Sequence, residues 1–338
     1  MPQKSFMSRL AAVLAAAVLT AAVPVHAAAN LQELSRYAGI SVSDLNAALS
    51  QAKYQQKIID AMTRPSESKP WWQYRKIFIT KSRIDAGVDF YLKHEQVLED
   101  AERIYGVPPE IVCAIIGVET FYGKNMGTWK VLDALYTLGF NYPPRETYFS
   151  KEFANFVRLC QREHWDFASI KGSYAGAMGM GQFMPGSYLN YAVDFDQDGH
   201  SDLFTNPADA IGSVANYFKG HGWVSGRGIY YPVHLRNASP QPLMKKEWEL
   251  TARELYASGA STKVNLQPDD KLRLFAYKLE DGTTGYAVGL NNFKTIMRYN
   301  TSQLYARAVY ELSEFIRMGY AKAKQSQGYR VKRKGRQP

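Results

Sequence analysis

Cysteine is scarce in this chain of 338 residues: only Cys113 and Cys160 are present, and they form no C-x-x-C pair. A zinc site or a dithiol redox centre is therefore unsupported. One disulfide in an oxidising compartment and two buried thiols both stay open, because Cys113 stands in an apolar stretch where a free thiol packs as a small hydrophobe. No Gly-Lys-Ser/Thr ending completes a phosphate loop, which argues against a nucleotide site. Past the first residues, every apolar run is short or broken by charge, so no later segment reads as a membrane span. Internal repeats are absent too.

The longest apolar run comes first. Lys4 and Arg9 precede an Ala/Val/Leu stretch from Leu10 to Val23, and Val25-His26-Ala27 supplies a small-x-small exit. A basic start, a short apolar middle and such an exit describe a secretory signal at residues 1–27, with a single membrane anchor as the alternative. No lipid-anchor cysteine lies near Ala27, so the expected product is an exported, periplasmic protein of about 311 residues. At 46% hydrophobic residues it is not a disordered chain. The net charge of +10 points to a polyanionic partner, but much of it sits in a basic tail at 321–338, including Lys322, Lys324, Arg330 and Lys332 to Lys334. That tail is expected to be disordered. It is either a solvated end or a means of retention on an anionic wall or membrane, with no nucleic acid involved.

Periodicity is mainly helical up to residue 225. Asp44 is positioned to cap a helix carrying Leu45, Ala48 and Leu49, and Val88 to Tyr105 keeps helical spacing over several turns. Pro108 and Pro109 open the next helix, and Asn206-Pro207 opens another. Prolines at 232, 240, 242 and 268, alternation through 271–277 and a turn at Asp281-Gly282 indicate a small β-rich insertion over 226–289. Leu304, Ala308, Leu312 and Ile316 then return the chain, over 290–320, to the helical body. The expected fold class is mainly α (α+β), with the main helical body spanning 28–225 and 290–320.

Three features carry chemistry. Glu119 sits in a run from Pro109 to Gly123 whose spacing sets Val112, Ile115, Ile116 and Tyr122 on the side of its carboxylate. Such a carboxyl either stays protonated near neutral pH and donates a proton, or escapes to solvent or an arginine partner. The glycine-rich segment from Gly172 to Pro185 is either a tight turn or the floor of a sugar cleft offering Ser173 and Gln182. Finally, Asp194, Asp196, Asp198, Gly199 and His200 follow the spacing of a calcium loop, with a backbone carbonyl at His200. Thr205 stands where a closing Glu belongs, leaving Asp202 or Asp209 to complete the shell; a metal-free Asp/Gly turn is the alternative.

Taken together, Glu119-Thr-Phe-Tyr-Gly123, the segment Ser173 to Pro185, and Leu290-Asn-Asn-Phe293 through Tyr299, Asn300, Ser302 and Tyr305-Ala306 resemble the B-type lytic murein transglycosylases, glycoside hydrolase family 103. The resemblance runs through nearly all of the expected mature chain. It implies a lysozyme-like helical core with a helical extension and a small β domain, and a structural, EF-hand-like calcium site whose one-residue-longer loop favours Asp209. Glu119 would protonate the bond between N-acetylmuramic acid and N-acetylglucosamine, then take the proton of the C6 hydroxyl as a 1,6-anhydro ring closes. Ser173, Gln182, Tyr299 and Asn300 would hold the sugar, while Tyr122, Tyr305 and Arg145 would line the cleft. Pro144 replaces an expected arginine, so Arg145 is the one matching cation. Peptidoglycan strands are the implied partner, wall-synthesis proteins are further candidates, and a monomer is expected. A hydrolytic muramidase using Asp133 or Glu146 as second acid, and a non-catalytic wall-binding protein, are the rival readings.

Overall fold

The computed structural model describes residues 25–63 and 69–334, so the export signal expected at 1–27 lies almost wholly outside the described residues. Helices α1 (Val25–Ala38), α2 (Val42–Gln51), α3 (Gln56–Met62) and α4 (Trp71–Phe78) lead into α5 (Lys81–Lys93), α6 (Glu95–Tyr105) and α7 (Pro109–Thr120). After strand β1 (Trp129–Lys130) come α8 (Val131–Asn141), α9 (Glu146–Glu163), β2 (Lys171–Gly172), α10 (Pro185–Tyr191) and α11 (Pro207–Gly220). The inserted segment holds β3 (Tyr230–His234), α12 (Pro240–Lys245), β4 (Leu250–Thr251), α13 (Ala252–Ala257), β5 (Ser261–Thr262), β6 (Lys271–Lys278) and β7 (Thr284–Gly289). Helices α14 (Asn291–Tyr299) and α15 (Gln303–Lys334) close the fold.

Helix α7 is the axis of the helical body. Apart from Glu110, every residue from Pro109 to Val118 is buried, and α5, α6, α11 and α15 pack around it. A helix apolar on all sides can be satisfied only by such a position. Each of Ile111, Val112, Ile115 and Ile116, fully enclosed, contributes roughly 1.5–3 kcal/mol over an exposed reference. Pro108 and Pro109 start α7 as the sequence suggests, since a first-turn residue has no amide obligation to meet.

Local expectations differ from the structure in three places. Ser41, not Asp44, caps α2; Asp44 sits at the third helical position and returns the bond to the Ser41 amide, a reciprocal capping box. The long helical pattern through 88–105 is divided at His94 into α5 and α6. The tail expected to be disordered from 321 continues α15 as helix to Lys334. Tyr320 stacks on Tyr91 at 3.9 Å and donates to Glu95 at 2.5 Å, and Lys324 pairs with the same carboxylate at 2.7 Å. Those contacts carry helical backbone past the expected end.

The insertion forms an antiparallel five-stranded sheet in the order β4-β6-β7-β3-β5, with α12 and α13 beside it. Strand β6 reads two ways at once. Phe275 and Tyr277 turn toward the main core, while Leu272 and Leu274 enter a separate cluster with Val233, Leu250, Leu255 and Val288. The period of two in a strand makes this possible, and it seats the sheet against the helical body rather than leaving it as a loose appendage.

Candidate active site

Glu119 is the penultimate residue of α7. The helix stops just beyond it because Phe121 (φ 53°) and Tyr122 (φ 60°) both take the left-handed conformation, and their amides bond back to Gly117 and Ile116, each at 3.2 Å. The residue keeps a little surface, yet its carboxyl is enclosed and accepts a 2.5 Å hydrogen bond from the Tyr305 hydroxyl. Burial pushes its pKa up to about 7, with the Tyr305 bond opposing part of that rise. The donor is dependable: burial and the neighbouring Glu119 charge push the Tyr305 phenol well above its ordinary range. Among the described residues no second carboxylate bonds to Glu119 or shifts it.

The glycine-rich segment forms the adjoining wall. Thr120, whose role the sequence reading did not pick out although it lies beside Glu119, donates to the Met180 carbonyl at 2.8 Å and accepts from the Gly123 amide at 2.9 Å. One hydroxyl thus ties the end of α7 to this wall. Ser173 Oγ accepts from the amides of Ala175 (3.3 Å) and Ala177 (3.0 Å), leaving its own proton to donate. Gln182 (φ 51°) gives its amide hydrogens to the carbonyls of Met126 at 3.1 Å and Gly179 at 3.0 Å. Gly179 is required: at φ 69° a Cβ there would stand 2.6 Å from the Leu203 carbonyl oxygen.

The third segment brings Tyr299 and Tyr305 to the same place. Tyr299 donates to the Gly181 carbonyl and packs among Phe183, Tyr217 and Phe218; burial and the Glu119 charge push its phenol up. Tyr217, another residue the sequence reading passed over, donates to the Arg298 carbonyl at 2.8 Å. Asn300 is exposed, its side-chain oxygen accepting from the Ser302 amide at 3.0 Å.

Of the two other expected lining residues, Tyr122 is placed differently and Arg145 stands on the surface. Tyr122 does not share the side of Glu119; its ring lies over Gly117 and Gly87, and its hydroxyl donates to the Arg83 carbonyl at 3.0 Å. The helical spacing failed because the helix ends before Tyr122. Arg145 is exposed, with its guanidinium over the rings of Tyr148 (4.6 Å) and Phe149 (4.8 Å), and no bond joins it to Glu119. Of the rival acids, Asp133 is spent on the Lys53 amide at 2.9 Å and the Gln55 side chain at 3.2 Å. Glu146 starts α9 and bonds to neither Glu119 nor its partners.

The aspartate loop gathers Asp194, Asp196 and Asp209, with ligand oxygens all within 4.8 Å of one another. Asp209 is fully enclosed, and desolvation together with the charges of Asp196 and Asp194 pushes its carboxyl up. No lysine or arginine among the described residues neutralises the group; an Asn206 amide bridges Asp196 (2.9 Å) and Asp209 (3.2 Å). Asp202 turns away and accepts from the Phe204 and Thr205 amides instead. Asp198 and His200 are not part of the three-carboxylate group: the Asp198 carboxylate accepts from the His200 amide at 2.9 Å. The donor set suits a hard divalent cation. The same loop reaches the cleft, because the Met180 amide donates to the Leu203 carbonyl at 2.8 Å.

A helical body that holds a desolvated acid against a tyrosine hydroxyl, beside a wall of amide and hydroxyl groups, is the arrangement of a glycan-cleaving enzyme. Comparison with known proteins narrows the class. The model of the transglycosylase SLT domain matches residues 25–314. Membrane-bound lytic murein transglycosylase B of Escherichia coli strain K12 is 43% identical over 289 residues, covering 82% of this chain and 79% of that protein. Among solved structures, the lytic transglycosylase SltB1 of Pseudomonas aeruginosa matches at TM-score 0.81 and 44% identity, covering 88% of this chain and 98% of that one. The Escherichia coli lytic transglycosylase Slt35 in complex with calcium matches at TM-score 0.78 and 40% identity, covering 88% and 94%. The chain belongs to this family of lytic transglycosylases, peptidoglycan-cleaving lyases.

Proposed function

We propose that this chain, exported to the periplasm, cleaves the β-1,4 bond between N-acetylmuramic acid and N-acetylglucosamine, with Glu119 serving as acid and then as base. The observation that carries the reading is the enclosed Glu119 carboxyl, with its pKa near 7 and, among the described residues, a tyrosine as its one side-chain hydrogen-bond partner. An acid poised near neutrality is populated in both forms, so it can give a proton and take one back within a turnover. In the first step the C1–O4 bond breaks as Glu119 protonates O4 of the departing N-acetylglucosamine. In the second, the carboxylate removes the proton of the muramoyl C6 hydroxyl while O6 bonds to C1. The proton returns to Glu119 and water is not consumed. Hydrolases that retain or invert need a second carboxylate; an internal hydroxyl makes one unnecessary and gains from proximity.

Tyr305 steadies the ionised form of Glu119 between the two steps. Ser173 donates its free hydroxyl proton to the substrate's acetamido or hydroxyl oxygens, and Tyr299 and Asn300 complete that wall. Gln182 acts chiefly by fixing the wall, since its amide hydrogens are already given to Met126 and Gly179. Calcium at Asp194, Asp196 and Asp209, with the His200 carbonyl as a further donor, would supply positive charge that relieves three crowded carboxylates and holds the Leu203 end of the loop against Met180. The enzyme works as a monomer on glycan strands. Mass analysis of products from purified sacculi tests the chemistry: anhydromuramoyl ends are expected, and reducing-end muramic acid would refute it.

A further inference from the structure

Two residues beyond Tyr305 on α15, Arg307 is held by aromatic rings rather than by carboxylates. We propose that Arg307 is a positioning residue: its guanidinium clamps α4 and the inserted sheet onto the start of α15, and thereby keeps the Tyr305 hydroxyl on the Glu119 carboxyl. The proposal rests on the catalytic reading above for the role of Glu119.

The guanidinium stands 4.1 Å from the ring centroid of Trp71 on α4, 4.3 Å from that of Tyr277 on β6 and 5.8 Å from that of Tyr230 on β3. One cation therefore joins an N-terminal helix, two strands of the insertion and α15 at a single point. Among the described residues it makes no hydrogen bond and no ion pair. The carboxylates that share a cavity of about 160 Å³ with it, Glu311 and Glu314, are taken by Arg75 and Arg317. A planar, weakly hydrated cation suits this place, because its face lies on the rings while its N–H edge stays available to water.

The seam reaches the acid through α4. Trp71 and Arg75 are one turn apart on α4, and Arg307 and Glu311 are one turn apart on α15, so the cation–ring contact and the Arg75–Glu311 ion pair grip the two helices at successive turns. Tyr74, between Trp71 and Arg75 in the chain, lies close enough to Tyr305 for its charge to act on that phenol. Tyr305 is the third residue of α15, in a first turn whose cap is loose: its amide meets the Ser302 hydroxyl only at 3.4 Å. Helix ends fray unless something holds them. Residues two apart on a helix point away from each other, so Arg307 braces from behind the turn from which Tyr305 reaches Glu119 at 2.5 Å. The titratable groups that face Glu119 are Tyr305 and Tyr299. Arg307, with Glu311 and Glu314 beside it, is not among the groups that shift the acid, so removing the cation does not move Glu119 by charge alone.

The test titrates the Glu119 carboxyl by isotope-edited NMR in enzyme without substrate, its signal assigned by its loss in Glu119→Gln, alongside the pH profile of kcat/KM on sacculi. Arg307→Met keeps the reach of the side chain and removes the cation. The Tyr305 bond lowers the Glu119 pKa, so loosening that bond should raise the titration by about half a unit, roughly threefold in the protonation constant, and carry the alkaline limb upward with it. In a Tyr305→Phe background Arg307→Met should add nothing, because the contact it serves is already gone. Arg307→Lys keeps the charge with less risk to folding, and should move the titration the same way by a smaller amount. A lower Tm with an unmoved titration, or a shift of one size with and without the Tyr305 hydroxyl, would overturn the proposal. If the wild-type enzyme released only reducing-end products, the lyase reading would fail, while titration of the free enzyme would still decide this one.

Discussion

Replacing Glu119 by glutamine should abolish turnover and, above neutral pH, make the protein more stable. Below pH 4.5 the carboxyl is protonated in folded and unfolded chains alike and contributes no difference. Between pH 4.5 and about 7 the unfolded chain has released the proton that the folded chain keeps, so stability falls as pH rises through that window; above about 7 both have released it and the deficit is constant. The gap from 4.5 to about 7, at ~1.36 kcal/mol per pH unit, amounts to about 3 kcal/mol. Glutamine is neutral throughout, fills the same volume and keeps a carbonyl oxygen for the Tyr305 hydroxyl. Urea denaturation of both proteins at pH 4.5 and pH 8 should therefore find near parity at the lower value and an advantage of about 2–3 kcal/mol for Glu119→Gln at the higher one. For a chain of this size that is a rise in Tm of roughly 3–5 °C. An advantage independent of pH would mean that the carboxyl is not desolvated, and a variant with residual turnover would mean that it is not the proton carrier. Either result defeats the reasoning.

Two further outcomes follow from the same geometry. Tyr305→Phe removes the hydrogen bond that lowers the Glu119 pKa, so the alkaline limb of the kcat/KM profile should move upward from about pH 7 by roughly one unit, with a reduced maximal rate; an unmoved limb would show that Tyr305 does not hold the ionised form. Chelation should lower Tm in the wild type, and saturating calcium at about 100 times its Kd should restore roughly 2.7 kcal/mol. Asp209→Asn should make Tm insensitive to both, and a wild-type melt unchanged by chelator would count against a metal at the aspartate loop.

Much of the helical architecture could be read from residue order because it depends on local chemistry. Helix α7 was legible from Pro109 and an apolar run with no polar face, and α11 from Asn206 and Pro207, since caps and first-turn prolines act within one turn. The misplacement of Tyr122 is instructive for the same reason. Spacing of three to four residues does not carry across a helix end, and two left-handed residues, neither of them glycine, close α7 before Tyr122 can share its face. Ser41 and Asp44 are the two halves of one capping box three positions apart, and either residue alone reads as a cap from the sequence. The tail was expected to lack structure from its charge, yet Tyr320 and Lys324 anchor α15 to Glu95, more than two hundred residues earlier in the chain.

By itself, the sequence determined which residue could be an embedded acid, which loop could gather carboxylates, and where a sheet interrupts the helices, because periodicity and composition are properties of neighbours along the chain. Only the tertiary structure decided how those parts meet. It decided that a tyrosine 186 residues away reaches the Glu119 carboxyl, that Thr120 and Leu203 grip the two sides of Met180, and that Asp209 rather than Asp202 joins Asp194 and Asp196. A desolvated pKa and a shared cluster of charges arise from atoms brought together across the fold, and no local pattern encodes the distances on which they depend.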